Sequence, residues 1–67
     1  MKLIDFVTKV NGSFAKVIIY YDNETKRFWS LNDILYDEDR YDYINRDIQS
    51  VDVSVFDGEA YLEINLL

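Results

Sequence analysis

Val51-Asp52-Val53-Ser54-Val55-Phe56-Asp57-Gly58-Glu59-Ala60-Tyr61-Leu62-Glu63-Ile64-Asn65-Leu66-Leu67 reads as a β-hairpin turning on Asp57-Gly58. A type I′ turn needs positive φ at both central residues, which Asp and Gly tolerate, so Asp-Gly between alternating runs is a strong hairpin signal. A two-residue loop then fixes the register. Phe56 stands opposite Glu59, Val55 opposite Ala60, Val53 opposite Leu62 and Val51 opposite Ile64, and the last three pairs share one apolar face. The reverse face sets Ser54 against Tyr61, Asp52 against Glu63 and Ser50 against Asn65. The pattern predicts that the first face packs while the second meets water or a partner.

Outward from the hairpin, Leu31, Ile34 and Leu35 recur at helical spacing, with Ser30 or Asn32 as candidate N-cap and Asp33 in the first turn. The helix is expected to break near Asp37, because Asp37-Glu38-Asp39-Arg40-Tyr41-Asp42-Tyr43 is too charged for a core. Tyr41, Ile44 and Ile48 then resume the spacing. Ala15 to Tyr21 predicts a central strand with β-branched and aromatic residues on both sides. Asp22 to Lys26 reads as its turn, and Arg27 to Leu31 as a shorter returning strand carrying Phe28 and Trp29. At the start, Leu3, Phe6, Val7 and Val10 fall on one helical face, with Asn11-Gly12 as a C-terminal stop. Ile4, Phe6, Thr8 and Val10 also alternate, so a strand is the competing reading. The expected architecture is a single α+β domain, residues 1–67, in the order helix, hairpin, helix, hairpin, with a four-stranded antiparallel sheet and helices on one face. With the first segment as a strand, a five-stranded, mostly β domain with one helix replaces it.

With 67 residues, no Cys and no His, the chain lacks disulfides and the commonest transition-metal ligand that stabilise small scaffolds. Association with a partner is therefore favoured. The absence of Cys fits a reducing compartment, and Met1 to Val10 is short and charged for a signal segment, so a cytoplasmic location is expected, with no membrane contact.

The missing His and Cys also remove the usual general base and the thiolate nucleophile. Asp52 and Glu63 could pair as acid and base, yet so short a chain can hardly wall a substrate pocket, and no enzyme activity is expected. Asp37, Asp39 and Asp42 resemble part of a calcium loop, but Asp42 occupies the place of the sharp-turn Gly, so no metal is expected. The two glycines, Gly12 and Gly58, have turn roles, which leaves no phosphate cradle. No cofactor is expected.

Charge is the informative remainder. Residues 1–32 hold five cations and three acids, a net +2, while residues 33–67 hold two cations and ten acids, a net −8, together the −6 of the chain. So acidic a half repels nucleic acid and disfavours direct binding to it. The candidate partner-binding residues are Asp37, Glu38, Asp39, Tyr41, Asp42, Tyr43, Asp52, Tyr61 and Glu63. Their carboxylates would meet the cations of a basic protein surface, with the tyrosines as anchors. Asp52 facing Glu63 is the sharpest signal, since like charges opposed on neighbouring strands cost stability unless a cation meets them. The competing reading is a self-associating assembly protein, such as a homodimer, that uses an edge strand with Tyr20, Tyr21, Phe28 and Trp29.

Met1-Lys2-Leu3-Ile4-Asp5-Phe6, Lys16-Val17-Ile18-Ile19-Tyr20 and Asp57-Gly58-Glu59-Ala60-Tyr61-Leu62-Glu63-Ile64 resemble the short acidic proteins encoded by bacteriophages and mobile elements of Gram-positive bacteria. The resemblance implies inhibitors of host enzymes, a class that includes anti-CRISPR proteins and DNA mimics acting on nucleases or glycosylases. On that resemblance the expected function is inhibition of a nucleic-acid-handling host protein. It assigns no residue a role, because no family motif is matched.

Overall fold

The computed structural model of the chain describes residues 1–10 and 16–67. The expected helix stop at Asn11-Gly12 and the expected strand start at Ala15 lie outside the described residues. The elements run α1 (Leu3–Lys9), β1 (Lys16–Tyr21), β2 (Glu24–Phe28), two 3₁₀ segments (Leu31–Tyr36 and Arg40–Asp42), β3 (Ile48–Phe56) and β4 (Glu59–Leu66). The result is an α+β domain with one four-stranded sheet in the order β2-β1-β4-β3.

α1 takes the helical reading. Leu3 and Val7 are buried on one face. No side chain caps its start; instead the N–H groups of Leu3 and Ile4 donate to the carbonyls of Arg46 and Ile44, each at 2.9 Å. Two of the N–H groups that a helix leaves unpaired are thus met by the chain entering β3.

The β3–β4 hairpin has the expected register in full, from Phe56 opposite Glu59 to Ser50 opposite Asn65, with one irregularity between Ile48 and Ser50. Asp57 and Gly58 sit at φ 51° and 77°. A second turn of the same kind occurs where a longer loop was expected. Asp22 and Asn23 take φ 47° and 62°, so β2 begins at Glu24, and Arg27 to Leu31 is not the second strand. Asn and Asp are the side-chain-bearing residues that best tolerate this left-handed conformation, which suits a two-residue hairpin.

The sheet is mixed, not antiparallel throughout, because β4 lies parallel to β1, with Val17 beside Leu62 and Ile19 beside Ile64. β1 is apolar on both faces, the pattern of an interior strand, and lies between β2 and β4. Of the two last strands, β4 brings Leu62, Ile64 and Leu66 to the core side, while β3 alternates its valines with Ser50, Asp52 and Ser54. The more apolar strand takes the interior position and leaves β3 at the edge. The middle helix is 3₁₀, closed by i to i+3 bonds such as Asp33 N–H to Ser30 and Asp37 N–H to Ile34, both 3.2 Å. A six-residue segment running into three consecutive acids has no room to propagate an α-helix.

α1 and the 3₁₀ segments cover one face of the sheet. There Leu3, Val7, Leu31, Ile34, Tyr43 and Ile44 pack on Val17, Ile19, Tyr21, Ile64 and Leu66. The other face has no covering layer among the described residues. No helix of the described residues is long and apolar enough to cross a membrane.

Candidate protein-binding surface

Strand alternation divides the candidate residues between two sides of the sheet. Lys26 of β2 is paired with Ile19 and shares its core-side face, and it reaches the acidic 3₁₀ region. Asp52, Glu63 and Tyr61 project from the opposite, uncovered face, since their cross-strand neighbours alternate with the core-side Val53–Leu62 and Val51–Ile64 pairs.

On the core side Asp37 is committed within the molecule. Its carboxylate accepts the Tyr43 hydroxyl at 2.6 Å, Lys26 Nζ at 3.0 Å and the Asp39 N–H at 3.2 Å. Burial acts to raise this carboxyl, but the hydrogen bonds from Tyr43 and Lys26 outweigh it and hold it below the usual carboxylate range. Asp39 takes the remaining reach of Lys26 at 3.4 Å. Tyr43 has no surface to offer a partner: it is 0% exposed and stacks at a tilt on Tyr21, with ring centroids 5.1 Å apart. As a contact residue it is corrected to a core residue. Burial, and then Asp37, push its hydroxyl well above the usual tyrosine range. Glu38, Tyr41 and Asp42 remain exposed, and the Arg40 guanidinium lies 4.5 Å from the centre of the Tyr41 ring.

On the uncovered face the Asp52–Glu63 opposition is present, and a neighbour relieves part of it. The Tyr20 hydroxyl donates to Glu63 at 2.9 Å, and that bond raises the Tyr20 hydroxyl above its ordinary range. Asp52 is exposed and has no ion-pair partner among the described residues. Tyr61 lines a short aromatic row with Lys16 and Trp29, where Lys16 Nζ stands 4.5 Å from the Trp29 ring centre and 5.7 Å from that of Tyr61. Lys16 is itself ion-paired with Glu59, and hydrogen bonding to Lys16 holds the Glu59 carboxyl below its usual range. Two shallow depressions of about 220 and 150 Å³ open here, one against Trp29 and the other against Phe56. Both fall short of the roughly 300 to 1,000 Å³ of ordinary ligand pockets.

The residues proposed for self-association also separate. Tyr21 is core and Tyr20 and Phe28 are half-buried, while Trp29 is exposed.

The main feature missed from the sequence is the end of the β3–β4 hairpin. Val53 and Val55, on the face expected to pack, are each 72% exposed, and Phe56 on the other face is 69% exposed. The apolar face packs only at its base. β1 first pairs with β4 at Lys16–Tyr61, so Glu59 and Ala60, with their β3 partners, extend past the described start of β1. The length of the run was the available signal. β3 has nine residues against six in β1, so part of the longer hairpin outreaches the described part of β1.

No family model, curated protein or solved structure matches the chain.

Proposed function

We propose that the chain is a non-enzymatic protein-binding inhibitor whose target presents a basic surface of the kind that nucleic-acid-handling proteins carry. The observation that carries this reading is how the few cations are used. Of the seven Lys and Arg residues, Lys16, Lys26 and Arg46 are tied to Glu59, Asp37 with Asp39, and Asp22, while Lys2, Lys9, Arg27 and Arg40 make no ion pair among the described residues. Glu38, Asp42, Asp52 and Asp57 are left exposed, with no ion-pair partner among the described residues. Eight acids and four cations are thus without an ion-pair partner among the described residues, so the unpaired charge is negative, and beside it stand exposed aromatic and aliphatic groups, Tyr41 and Phe56 among them. Acids flanking apolar anchors suit recognition of a cationic protein face.

The test begins by capturing the partner from a cell lysate on immobilised protein, and then measures its affinity against salt and competing duplex DNA. Binding should weaken steeply as salt shortens the screening length from about 10 Å at 0.1 M to about 3 Å at 1 M. DNA should displace the chain. Replacing Glu38, Asp42 and Asp52 together by Gln, Asn and Asn removes three charges that make no ion pair within the fold, and should lower affinity by about tenfold or more while the melting midpoint stays put. Lys2→Gln with Lys9→Gln is the control and should change little. Binding that ignores salt, DNA and the acidic triple overturns the reading.

A further inference from the structure

The two edges of the sheet are built differently. β2 is short, five residues, and carries Glu24, Lys26 and Arg27, the charges that blunt an edge against pairing. β3 has nine residues and one charge, Asp52. Among the described residues its outer side is occupied only at the start, where Ile48 N–H donates to the Met1 carbonyl at 2.8 Å and Lys2 bridges Asp47. From Ser50 to Phe56 no strand of the described residues lies beside it.

Which backbone groups point outward follows from the turn. The pair flanking a two-residue type I′ turn is hydrogen-bonded, and bonded and non-bonded pairs then alternate. Phe56, Ser54 and Asp52 therefore turn their N–H and C=O groups toward β4. Val55, Val53 and Val51 turn theirs to the open edge. The residues with free backbone groups are also the ones with exposed apolar side chains.

We infer that β3 is the docking edge for a second copy of this chain, pairing antiparallel about a two-fold axis at Val53 to form a continuous eight-stranded sheet. The register is fixed by the residues. With Val53 facing its own copy, Val51 faces Val55, so all three valine pairs are hydrogen-bonded pairs and lie on one face. On the reverse face Asp52 meets Ser54 and Ser50 meets Phe56. Pairing about Asp52 instead would set two carboxylates directly opposite, which is unfavourable. The antiparallel arrangement also lays the uncovered end of each hairpin along the helix-covered base of the other, so Val55 comes to rest beside Val51, the least exposed of the three at 39%. It ends where each copy's own Met1 and Lys2 close the edge, which brings the acidic tip at Asp57 toward Lys2 of the second copy. The inference does not depend on a basic target, because it uses the edge and not the acidic surface.

Sedimentation of the full chain tests it, from about 10 µM to about 1 mM, the range suited to a small interface of one strand pair. The mass should rise from 8.0 kDa toward twice that value. Val53→Lys and Val53→Glu, at an exposed position, should each keep the fold and stay monomeric, since each places like charges face to face on the axis. Mixed in equal amounts they should dimerise again. Val53→Pro removes the outward N–H without touching the ladder to β4, and should raise the dimer dissociation constant by about tenfold or more. A mass that stays at 8.0 kDa to the highest concentration overturns the inference. So does a dimer indifferent to Val53→Pro, or a Lys and Glu mixture that remains monomeric.

Discussion

Gly58 sits at φ 77° with open space where a Cβ would project, so what opposes a side chain there is backbone strain and not crowding. Val is the sharpest probe, because a β-branched residue is poorly accommodated in the left-handed region. Gly58→Val should cost about 1 to 2 kcal/mol and lower the melting midpoint by roughly 4 to 8 °C for each kcal/mol in a domain of this size. Thermal unfolding followed by circular dichroism measures it, and an unchanged midpoint would mean that the turn relaxes freely. This turn was legible in the sequence because Asp57-Gly58 stands between two alternating runs. Asp22-Asn23 takes the same conformation but carries a weaker signal, since Asn23 lacks the signature of Gly and polar residues follow it as far as Arg27. Single residues also account for the candidate site that was not legible. Tyr43 lies in an acidic run that points to a surface anchor, whereas its ring is core and only its hydroxyl belongs to that run, through Asp37.

The stretch between β2 and β3 illustrates how an element with little internal order is held. Its 3₁₀ segments have six and three residues, and neither has a side-chain cap. Their backbone bonds alone are a weak source of stability. The stretch is fastened by Leu31 and Ile34 in the core and by Tyr43, whose ring rests on Tyr21 while its hydroxyl engages the carboxylate that also takes Lys26 of β2. Tyr43→Phe keeps the ring and should cost about 1.5 to 3 kcal/mol, the net value of a hydrogen bond to a charged group. Tyr43→Ala should cost about 3 to 5 kcal/mol, the range for truncating a large buried aromatic, and so remove much of the stability of a small domain. Denaturant unfolding of the two variants checks the ratio. Equal costs would mean that the hydroxyl and not the ring fastens the stretch. At this scale the hairpin register was readable, because turn type and alternation are local. The parallel contact of β1 with β4 was not, because it joins strands far apart in sequence and depends on comparing the core-side residues of β3 and β4.

For the molecule as a whole, three ion-pair groups, those of Lys16, Lys26 and Arg46, together with the raised hydroxyl of Tyr43, set how stability depends on pH. Hydrogen bonding to Arg46 holds Asp22 below the usual carboxylate range, Lys16 does the same for Glu59, and Tyr43 with Lys26 does so for Asp37 against the opposing effect of burial. A carboxylate whose folded pKa is depressed contributes stability that is complete above its unfolded value, near 4, and is lost as pH falls through the folded value. Lys16 and Lys26 are raised, chiefly by their hydrogen bonds to Glu59 and Asp37, so their contribution is complete below about 10.4 and is lost as pH rises through the folded value. Stability should therefore be flat from about pH 5 to about pH 10 and fall on both sides. Salt separates the acid-side contributions. The side chains of Asp22 and Glu59 are 63% and 51% exposed, whereas that of Asp37 is 16% exposed, so added salt should screen the first two pairs and leave the third. At about 0.5 M salt, where screening acts within a few Å, the acid-side loss should thus come mainly from Asp37. Asp37→Asn keeps an oxygen that can accept the Tyr43 hydroxyl but removes the titrating charge. Measured by denaturant unfolding, the deficit of this variant should be constant from about pH 5 to about pH 10 and shrink toward zero as the native carboxyl protonates. A deficit that persists unchanged to the lowest pH would show that the substitution disturbs packing, and that the Asp37 charge contributes nothing of its own.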